Sequence, residues 1–178
     1  MRIESDRFGY YFAGFVDGEG SFNVSLKRNS SHQTGWQLEP SFNVSQKDRV
    51  ILALLKQHLG CGTLRERPDG VVYYEVRNIR ALQEVVVPFF ERYRFLSASK
   101  KRNFSLFKRI VGLMATQRHL TPDGLREVIE LRRQLNVGRG RKRKYEGLSS
   151  ETIRRTRPTS NTGEVGRRED IVRSLTRV

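Results

Sequence analysis

The 178-residue chain lacks most of the features that mark secreted, membrane-spanning or zinc-binding proteins. Cys61 is the only cysteine, which excludes a disulfide framework and a cysteine-rich zinc site and favours a reducing compartment. No apolar run approaches the ~20 residues that a membrane helix needs, and the first residues lack the apolar stretch of a signal peptide. We therefore expect no membrane partner, no secretion, and a location in a bacterial cytosol or an organelle.

Acidic residues are also scarce, because 19 Asp and Glu stand against 34 Lys and Arg, for a net charge of +15. Such an excess indicates a polyanionic partner, and charge alone would also suit a ribosomal or nucleoid protein. Residues 138–145 hold five basic residues in eight. We expect a domain over residues 1–136 and a flexible basic extension over 137–178, which would add salt-dependent affinity but little specificity.

The apolar periodicity predicts helices separated by two hairpins. A helix should begin near Ser5 or Asp6, either of which can cap its first turn, and should end at residues 18–20. Alternating runs over 21–27 and 36–45 predict the first hairpin, in which Pro40 marks a bulge or an edge position.

The second half of the pattern repeats this arrangement. Residues 48–59 predict a helix, and residues 63–67 and 71–77 predict a second hairpin. Three further helices follow: one at about 80–93 that Pro88 should bend, one after 99, and one from 121 to about 136 that Thr121 should cap. The apolar positions at helical spacing in the 48–59 segment are Val50, Ile51, Leu54, Leu55 and His58.

Residues 12–20, Phe-Ala-Gly-Phe-Val-Asp-Gly-Glu-Gly, are the most informative segment of the chain. Gly14 and Gly18 are four residues apart and therefore share one helical face. Each glycine costs a helix about 0.5–1 kcal/mol relative to alanine, so two on one face indicate that another backbone passes close by. Glu19 would lie at the helix end beside the first strand, where a carboxylate in so basic a chain suggests a metal held against a phosphate.

This segment resembles the signature of the LAGLIDADG homing endonucleases from Phe12 to Gly20, and the predicted element order extends the resemblance to about the first 115 residues. It implies an α+β fold with an αββαββα core and an antiparallel, saddle-shaped sheet, followed here by extra C-terminal helices and a basic tail. The motif occurs once, which for this family implies a homodimer. The residues expected at the dimer interface are Ala13, Gly14, Asp17 and Gly18.

The resemblance also implies the chemistry. Glu19 and its symmetry mate would meet near the two-fold axis, where two carboxylates repel each other unless a cation lies between them. Glu19 and Gly18 are then the expected metal ligands, and Mg²⁺ is the expected ion. Metal ions so placed activate a water and stabilise the leaving oxygen, and one cut in each strand gives a double-strand break. The family often has Asp at Glu19, but the charge and ligand type are the same. Asp17 is expected to cap or bond near the helix end.

Four further residues resemble active-site groups of the family. Gln46 resembles the glutamine that orients water. Arg49 would stabilise phosphate charge, although its spacing departs by one residue from homodimeric relatives. Lys100 and Lys101 both resemble the active-site lysine, and the sequence does not choose between them. Contact with the phosphate backbone without catalysis is the alternative for all four.

The outward faces of the two hairpins carry donors and acceptors suited to base edges in the major groove. A dimer would double this surface, so the DNA site should be long and roughly palindromic. The alternative is an ordinary solvent-exposed strand face. The residues expected to bind DNA are Asn23, Ser25, Lys27, Gln37, Glu39, Ser41 and Asn43 on the first hairpin, and Thr63, Arg65, Arg67, Tyr73, Glu75 and Arg77 on the second.

Together these features predict a site-specific, intron-encoded homing endonuclease that makes metal-dependent double-strand breaks in DNA as a homodimer. The alternative is an intron RNA maturase, with its own intron RNA as partner, or a DNA-binding regulator that does not cleave. Glu19 favours cleavage, because a protein that only binds gains nothing by placing negative charge beside phosphates.

Overall fold

A computed structural model of the chain describes residues 2–32 and 35–137. The extension predicted over 137–178 therefore lies, but for its first residue, outside the described residues. Across the described ranges, none of the helices is both long and apolar enough to cross a bilayer.

The described chain folds into helices packed on one four-stranded antiparallel sheet. The strands are β1 (Gly20–Arg28), β2 (Trp36–Gln46), β3 (Thr63–Glu66) and β4 (Val72–Val76), in the spatial order β1-β2-β4-β3. The helices are α1 (Arg2–Glu19), α2 (Arg49–Leu59), α3 (Ile79–Ala81), α4 (Val87–Arg92), α5 (Ala98–Ala115) and α6 (Pro122–Gln134). A π-helical turn (Leu82–Val86) joins α3 to α4, and a 3-10 turn (Arg118–Leu120) precedes α6. This order confirms the predicted α+β fold.

The sheet has one apolar face and one polar face, as the alternation in β1 and β2 predicts. Phe22 pairs with Phe42 across the first hairpin, and Phe42 pairs with Val76 on the other side. All three side chains are buried in the core, which the helices complete. The register runs through Pro40, opposite Val24, without a bulge. Pro40 is instead in the half of β2 that only β1 flanks, because β4 pairs with β2 from residue 42 onward.

The start of α1 differs from the prediction. The helix begins at Arg2, and Asp6 lies inside its second turn instead of capping it. The Asp6 carboxylate accepts hydrogen bonds from Arg92 Nη2 at 2.7 Å and from the Tyr93 hydroxyl at 2.9 Å. Asp6 therefore contacts the end of α4 and does not cap α1.

The buried face of α2 also differs from the prediction. Asp48 caps the helix by accepting from the Val50 amide at 2.8 Å, but the buried side chains are those of Leu52, Leu55 and Leu59. Val50 is 64% exposed and Leu54 is 40% exposed. Apolar residues fill nearly every position from 50 to 55, so periodicity alone does not select one face.

Pro88 modifies the third helical segment as expected, although through a change of helix type. The π-helical turn lies immediately before the first turn of α4, in which Pro88 is the second residue. Proline lacks an amide donor, and its ring clashes with the carbonyl four residues earlier, so a wider turn relieves the conflict. At the start of α6, Thr121 accepts from the Gly124 amide at 3.1 Å, which confirms the predicted cap.

Candidate active site

The candidate active site begins where α1 ends and β1 starts. Glu19 is the last residue of α1 and is exposed, and Gly20 is the first residue of β1. A Cβ atom on Gly20 would lie 2.5 Å from Val16 Cγ1 and 2.8 Å from the Val16 carbonyl oxygen. Only glycine therefore permits this close passage from helix to strand, and the passage fixes Glu19 at the edge of the sheet.

Lys100 and Lys101 differ in the burial of their side chains and in their contacts. Its side chain is buried, with 3% of the residue exposed, and its Nζ donates a hydrogen bond to the Gly20 carbonyl oxygen. Lys101, one residue further along α5, is exposed. The structure thus places a buried cation one peptide unit from Glu19, and of the two predicted lysines it brings only Lys100 to this junction.

Asp17 attaches α1 to the start of α5. Its Oδ2 atom accepts from the Leu96 amide at 3.0 Å and the Ser97 amide at 2.9 Å, and its Oδ1 atom accepts from the Ser97 hydroxyl. Burial acts to raise the pKa of the Asp17 carboxyl, but the bonds from Ser97 and Leu96 and the charge of Lys100 outweigh it and lower the pKa. This agrees with the predicted bonding role near the helix end.

Gln46 and Arg49 lie at the same end of the sheet. Gln46 ends β2 just beyond Val44, the residue that pairs with Gly20, and its Oε1 accepts from the Lys47 amide at 2.9 Å. Arg49 begins α2, and its Nη1 lies 3.5 Å from an oxygen of Glu66. Both members of this ion pair are exposed, so the pair is weak and Arg49 remains available to a phosphate.

The small residues of the motif divide between two environments. Gly14 and Gly18 are exposed on α1, and a Cβ atom added at either would meet nothing within 4 Å. Ala13 is only 3% exposed, because it packs within its own chain. The chain leaves the two glycines open to a partner but almost none of Ala13, and the place of Ala13 at a dimer interface stays a prediction.

The polar face of the sheet collects most of the predicted DNA-binding residues. Cross-strand neighbours on this face are Asn23 with Ser41, Ser25 with Glu39, Lys27 with Gln37, Asn43 with Glu75, Thr63 with Glu75, and Arg65 with Tyr73. Arg67 and Arg77 lie one residue beyond the ends of β3 and β4. Several of these side chains line an open cavity of about 580 Å³.

Charged side chains on this face form ion pairs with one another. Lys27 Nζ lies 2.6 Å from Glu39 Oε2, and Arg77 Nε lies 2.9 Å from Glu75 Oε2. The basic member of each pair is more than half exposed, so exchange of its carboxylate for a phosphate or base costs little.

Two residues of α6 and its end also border this face and were missed by the sequence reasoning. Arg132 Nε donates to the Val24 carbonyl at 2.7 Å, and Asn136 Nδ2 donates to the Phe22 carbonyl at 2.7 Å. These contacts join segments more than a hundred residues apart, and no local pattern in the sequence indicates them.

The oxygen ligands at the α1–β1 junction, the Glu19 carboxylate and the Gly18 carbonyl, are of the type that a hard divalent cation prefers, and they could supply half of its site. Across residues 2–32 and 35–137, no group of three or more His, Cys, Asp or Glu could hold a metal ion. The Asp17 oxygens are already engaged by α5, so Glu19 is the exposed carboxylate at the junction.

Residues 12–111 match the family described as LAGLIDADG endonuclease. The chain belongs to this family. Among the relatives of this LAGLIDADG chain, DNA endonuclease I-CreI of Chlamydomonas reinhardtii is 32% identical over 83% of the chain and 86% of its own length. Probable intron-encoded endonuclease 2 of Neurospora crassa is 31% identical over 85% of the chain but only 34% of its own length.

Solved structures give the same result for the fold. The homing endonuclease I-TnaI superposes with a TM-score of 0.68 at 32% identity, over 83% of this LAGLIDADG chain and 93% of that chain. I-SmaMI bound to cleaved DNA superposes with a TM-score of 0.71 at 31% identity, over 83% of this chain and 47% of that chain. The present chain thus spans about half of I-SmaMI and a third of the Neurospora protein.

Proposed function

We propose that this LAGLIDADG protein is an intron-encoded homing endonuclease that makes double-strand breaks in a long, roughly palindromic DNA site as a homodimer. The observation that carries the proposal is the junction of α1 and β1, where exposed Glu19 lies one peptide unit from the carbonyl that holds Lys100. This junction adjoins the strand whose polar side chains begin the DNA-binding face.

The relatives support the choice of DNA as substrate. I-SmaMI has a crystal structure with cleaved DNA, and another solved structure has it bound to an uncleaved DNA target in the presence of calcium ions. The Neurospora relative is named as intron-encoded. For this chain, the net charge of +15 and the polar face of the sheet are the features that suit a DNA duplex.

The homodimer is supported by the open face of α1. Gly14 and Gly18 leave the helix backbone accessible, and Tyr10 and Tyr11 beside them are 65% and 58% exposed. An identical helix packed on this face would bring the two copies of Glu19 together at adjacent helix ends. Each chain would then contribute one carboxylate to the metal site and one four-stranded face to the DNA.

Glu19 and the Gly18 carbonyl would hold the divalent cation, which we propose is Mg²⁺. When bound, the ion would lower the pKa of a water and polarise the scissile phosphate. Lys100 would place a positive charge at the junction, where it stabilises the charge that develops on the phosphate. Gln46 and Arg49, at the same end of the sheet, would orient water and contact phosphate.

The test is a cleavage assay on pooled duplexes that span candidate insertion sites, with Mg²⁺ or Ca²⁺, comparing the wild type with Glu19→Gln. We expect discrete double-strand cuts with Mg²⁺, lost in Glu19→Gln while binding in Ca²⁺ persists. Glu84→Gln is the matched control, because Glu84 is exposed and pairs only locally with Arg80 at 2.9 Å.

Three results would contradict the proposal. Tight, sequence-specific binding without cuts under either metal would identify a DNA-binding regulator. Preferential binding of the host intron RNA over any duplex would identify a maturase. Equal loss of cutting in Glu19→Gln and Glu84→Gln would show that Glu19 has no special role.

A further inference from the structure

A continuous hydrogen-bonded network lies at the edge of the polar face. Its members are Ser21, Asn23, Asn103 and Asn136, the last of which follows α6. Asn103 of α5 and Asn136 bond reciprocally: Asn103 Nδ2 donates to Asn136 Oδ1 at 3.0 Å, and the Asn136 amide donates to Asn103 Oδ1 at 3.0 Å. Asn136 Nδ2 then donates to the Phe22 carbonyl at 2.7 Å and to Asn23 Oδ1 at 3.2 Å. Asn23 Nδ2 donates in turn to Ser21 Oγ at 3.0 Å.

Backbone groups fix the orientation of every amide in this network. The backbone N–H of Asn136 can only donate a hydrogen bond, so the side-chain atom of Asn103 that faces it must be Oδ1. The Phe22 carbonyl can only accept, so the atom of Asn136 that faces it is Nδ2. That nitrogen also faces Asn23, whose oxygen must therefore point toward Asn136 and whose nitrogen must point toward Ser21.

This arrangement leaves Asn23 with one lone pair on Oδ1 and one hydrogen on Nδ2 for a further partner. The positions of this acceptor and this donor on the polar face are fixed by the network. An asparagine amide held in this way can pair bidentately with adenine, which offers a donor at N6 and an acceptor at N7. If the Asn23 amide were free to rotate by half a turn, the order of donor and acceptor would reverse and the discrimination would fall.

We propose that Asn136 is a specificity-determining positioning residue, which holds the Asn23 amide in the orientation that reads one base pair in each half of the DNA site. This proposal rests on the proposed function, because it presupposes that the polar face reads DNA. Asn136 acts through Asn23 and has no part in the cleavage step. Its backbone has φ of 56°, so asparagine also suits the left-handed conformation at this position.

The test measures base preference at every position by selecting duplexes from a randomised library in Ca²⁺, for the wild type and Asn136→Asp. Aspartate keeps the shape and the acceptor for Asn103 but cannot donate to Phe22 or Asn23. We expect the preference for adenine to fall about fivefold or more at one position per half-site, the position that Asn23→Ala also affects. All other positions should keep their preferences.

Three further variants separate positioning from other effects. Asn136→Gly keeps the left-handed backbone and adds no charge, and it should weaken the preference at the same position. Gln134→Glu adds a negative charge nearby on the exposed side of α6 and should leave that preference intact. In the Asn23→Ala background, Asn136→Asp should produce no additional change at that position, because the residue through which it acts is gone.

The outcomes distinguish the two proposals. An unchanged preference in Asn136→Asp, or an equal loss at all positions, would overturn the positioning role while the wild type still selects a site. A wild type that selects no sequence and cuts no duplex would overturn the proposed function, and the positioning role with it.

Discussion

The Lys100 ammonium group donates a hydrogen bond to the Gly20 carbonyl oxygen, eighty residues earlier in the chain. This contact joins the first turn of α5 to the first residue of β1, immediately after Glu19. Asp17 makes the complementary contact three residues earlier, where it accepts from the residues that begin α5. The candidate metal carboxylate therefore lies between two attachments of α1 and β1 to the same helix, and its position is set by tertiary packing.

Replacing Lys100 should slow cleavage strongly without abolishing DNA binding. In Lys100→Met, the stem is retained, but the positive charge beside Glu19 is lost, so we expect the single-turnover cleavage rate to fall about 10²- to 10³-fold. Lys101→Met is the matched control, because Lys101 is the adjacent lysine and is exposed. Its rate should stay within about threefold of wild type, with a slightly lower salt dependence of binding. Similar losses in both variants would refute the distinction that the structure makes between these lysines.

The sequence could predict the hairpins and several helix ends because their signals are local. The alternation over β1 and β2 predicts most of the buried side chains, although Ser41 on the polar face is also buried. The second helix begins just after Asp48, and Thr121 caps the helix that it was expected to cap. The choice between Lys100 and Lys101 was beyond such reasoning. Adjacent helical residues point about 100° apart, and the rotation of α5 about its axis is set by the core rather than by its first turn.

The same limit explains the other differences. Ala13 belongs to the small residues of the motif by composition, yet packing within the chain buries it and leaves Gly14 open. Asn136 contacts β1 only because α6 returns to the edge of the sheet, a long-range arrangement that no periodicity encodes. Local patterns thus located the motif, while the contacts that complete the candidate site depend on elements distant in sequence.

Asp17 should contribute to the stability of the fold in a pH-dependent way. A carboxyl whose folded pKa is lowered stabilises the protein above its ordinary pKa and loses that contribution as the pH falls through the folded value. Asp17→Asn removes the charge that accepts three hydrogen bonds from residues 96–97, so we expect a loss of about 1–3 kcal/mol in unfolding free energy at pH 7. Urea titrations across pH measure it.

The difference between wild type and Asp17→Asn should begin to shrink below about pH 4, the ordinary pKa of an aspartate, and should continue to shrink as the pH falls through the lower pKa of the folded state. Asp123→Asn is the control, since the Asp123 side chain is 84% exposed and lies in the first turn of α6. A constant difference between Asp17→Asn and wild type from pH 7 down to acid unfolding would contradict the lowered pKa.

Gly14 should matter to association and not to the fold of one chain. A side chain added at Gly14 meets nothing within the chain, so Gly14→Leu should remain folded. If α1 packs on its copy, overpacking should weaken the dimer by about 1–3 kcal/mol, measured as a shift in the dissociation constant by sedimentation equilibrium. Cleavage should fall in parallel and recover at high protein concentration.

Alanine variants separate the helix contribution from the interface contribution. Gly14→Ala and Gly112→Ala each replace a helical glycine in open space and should stabilise their helices by about 0.5–1 kcal/mol. Only the Gly14 substitution should change the dimer dissociation constant. A wild type that sediments as a monomer at all concentrations, with or without DNA, would rule out the interface on α1.

Arg65 should read a base, whereas Arg80, an exposed arginine on the helical side, should not. Arg65 pairs across the second hairpin with Tyr73 on the polar face, while Arg80 of α3 is bonded to Glu84 at 2.9 Å. Arg65→Ala should lose about 1–3 kcal/mol of discrimination at one base pair in each half-site, because a bidentate contact to guanine is the commonest arginine readout. Arg80→Ala should leave the base preferences unchanged. Competition binding against single-base variants of the target, at fixed salt concentration, measures both.

A uniform loss of affinity for all variants in Arg65→Ala would identify a phosphate contact in place of base readout, because phosphate contacts carry no direct sequence information.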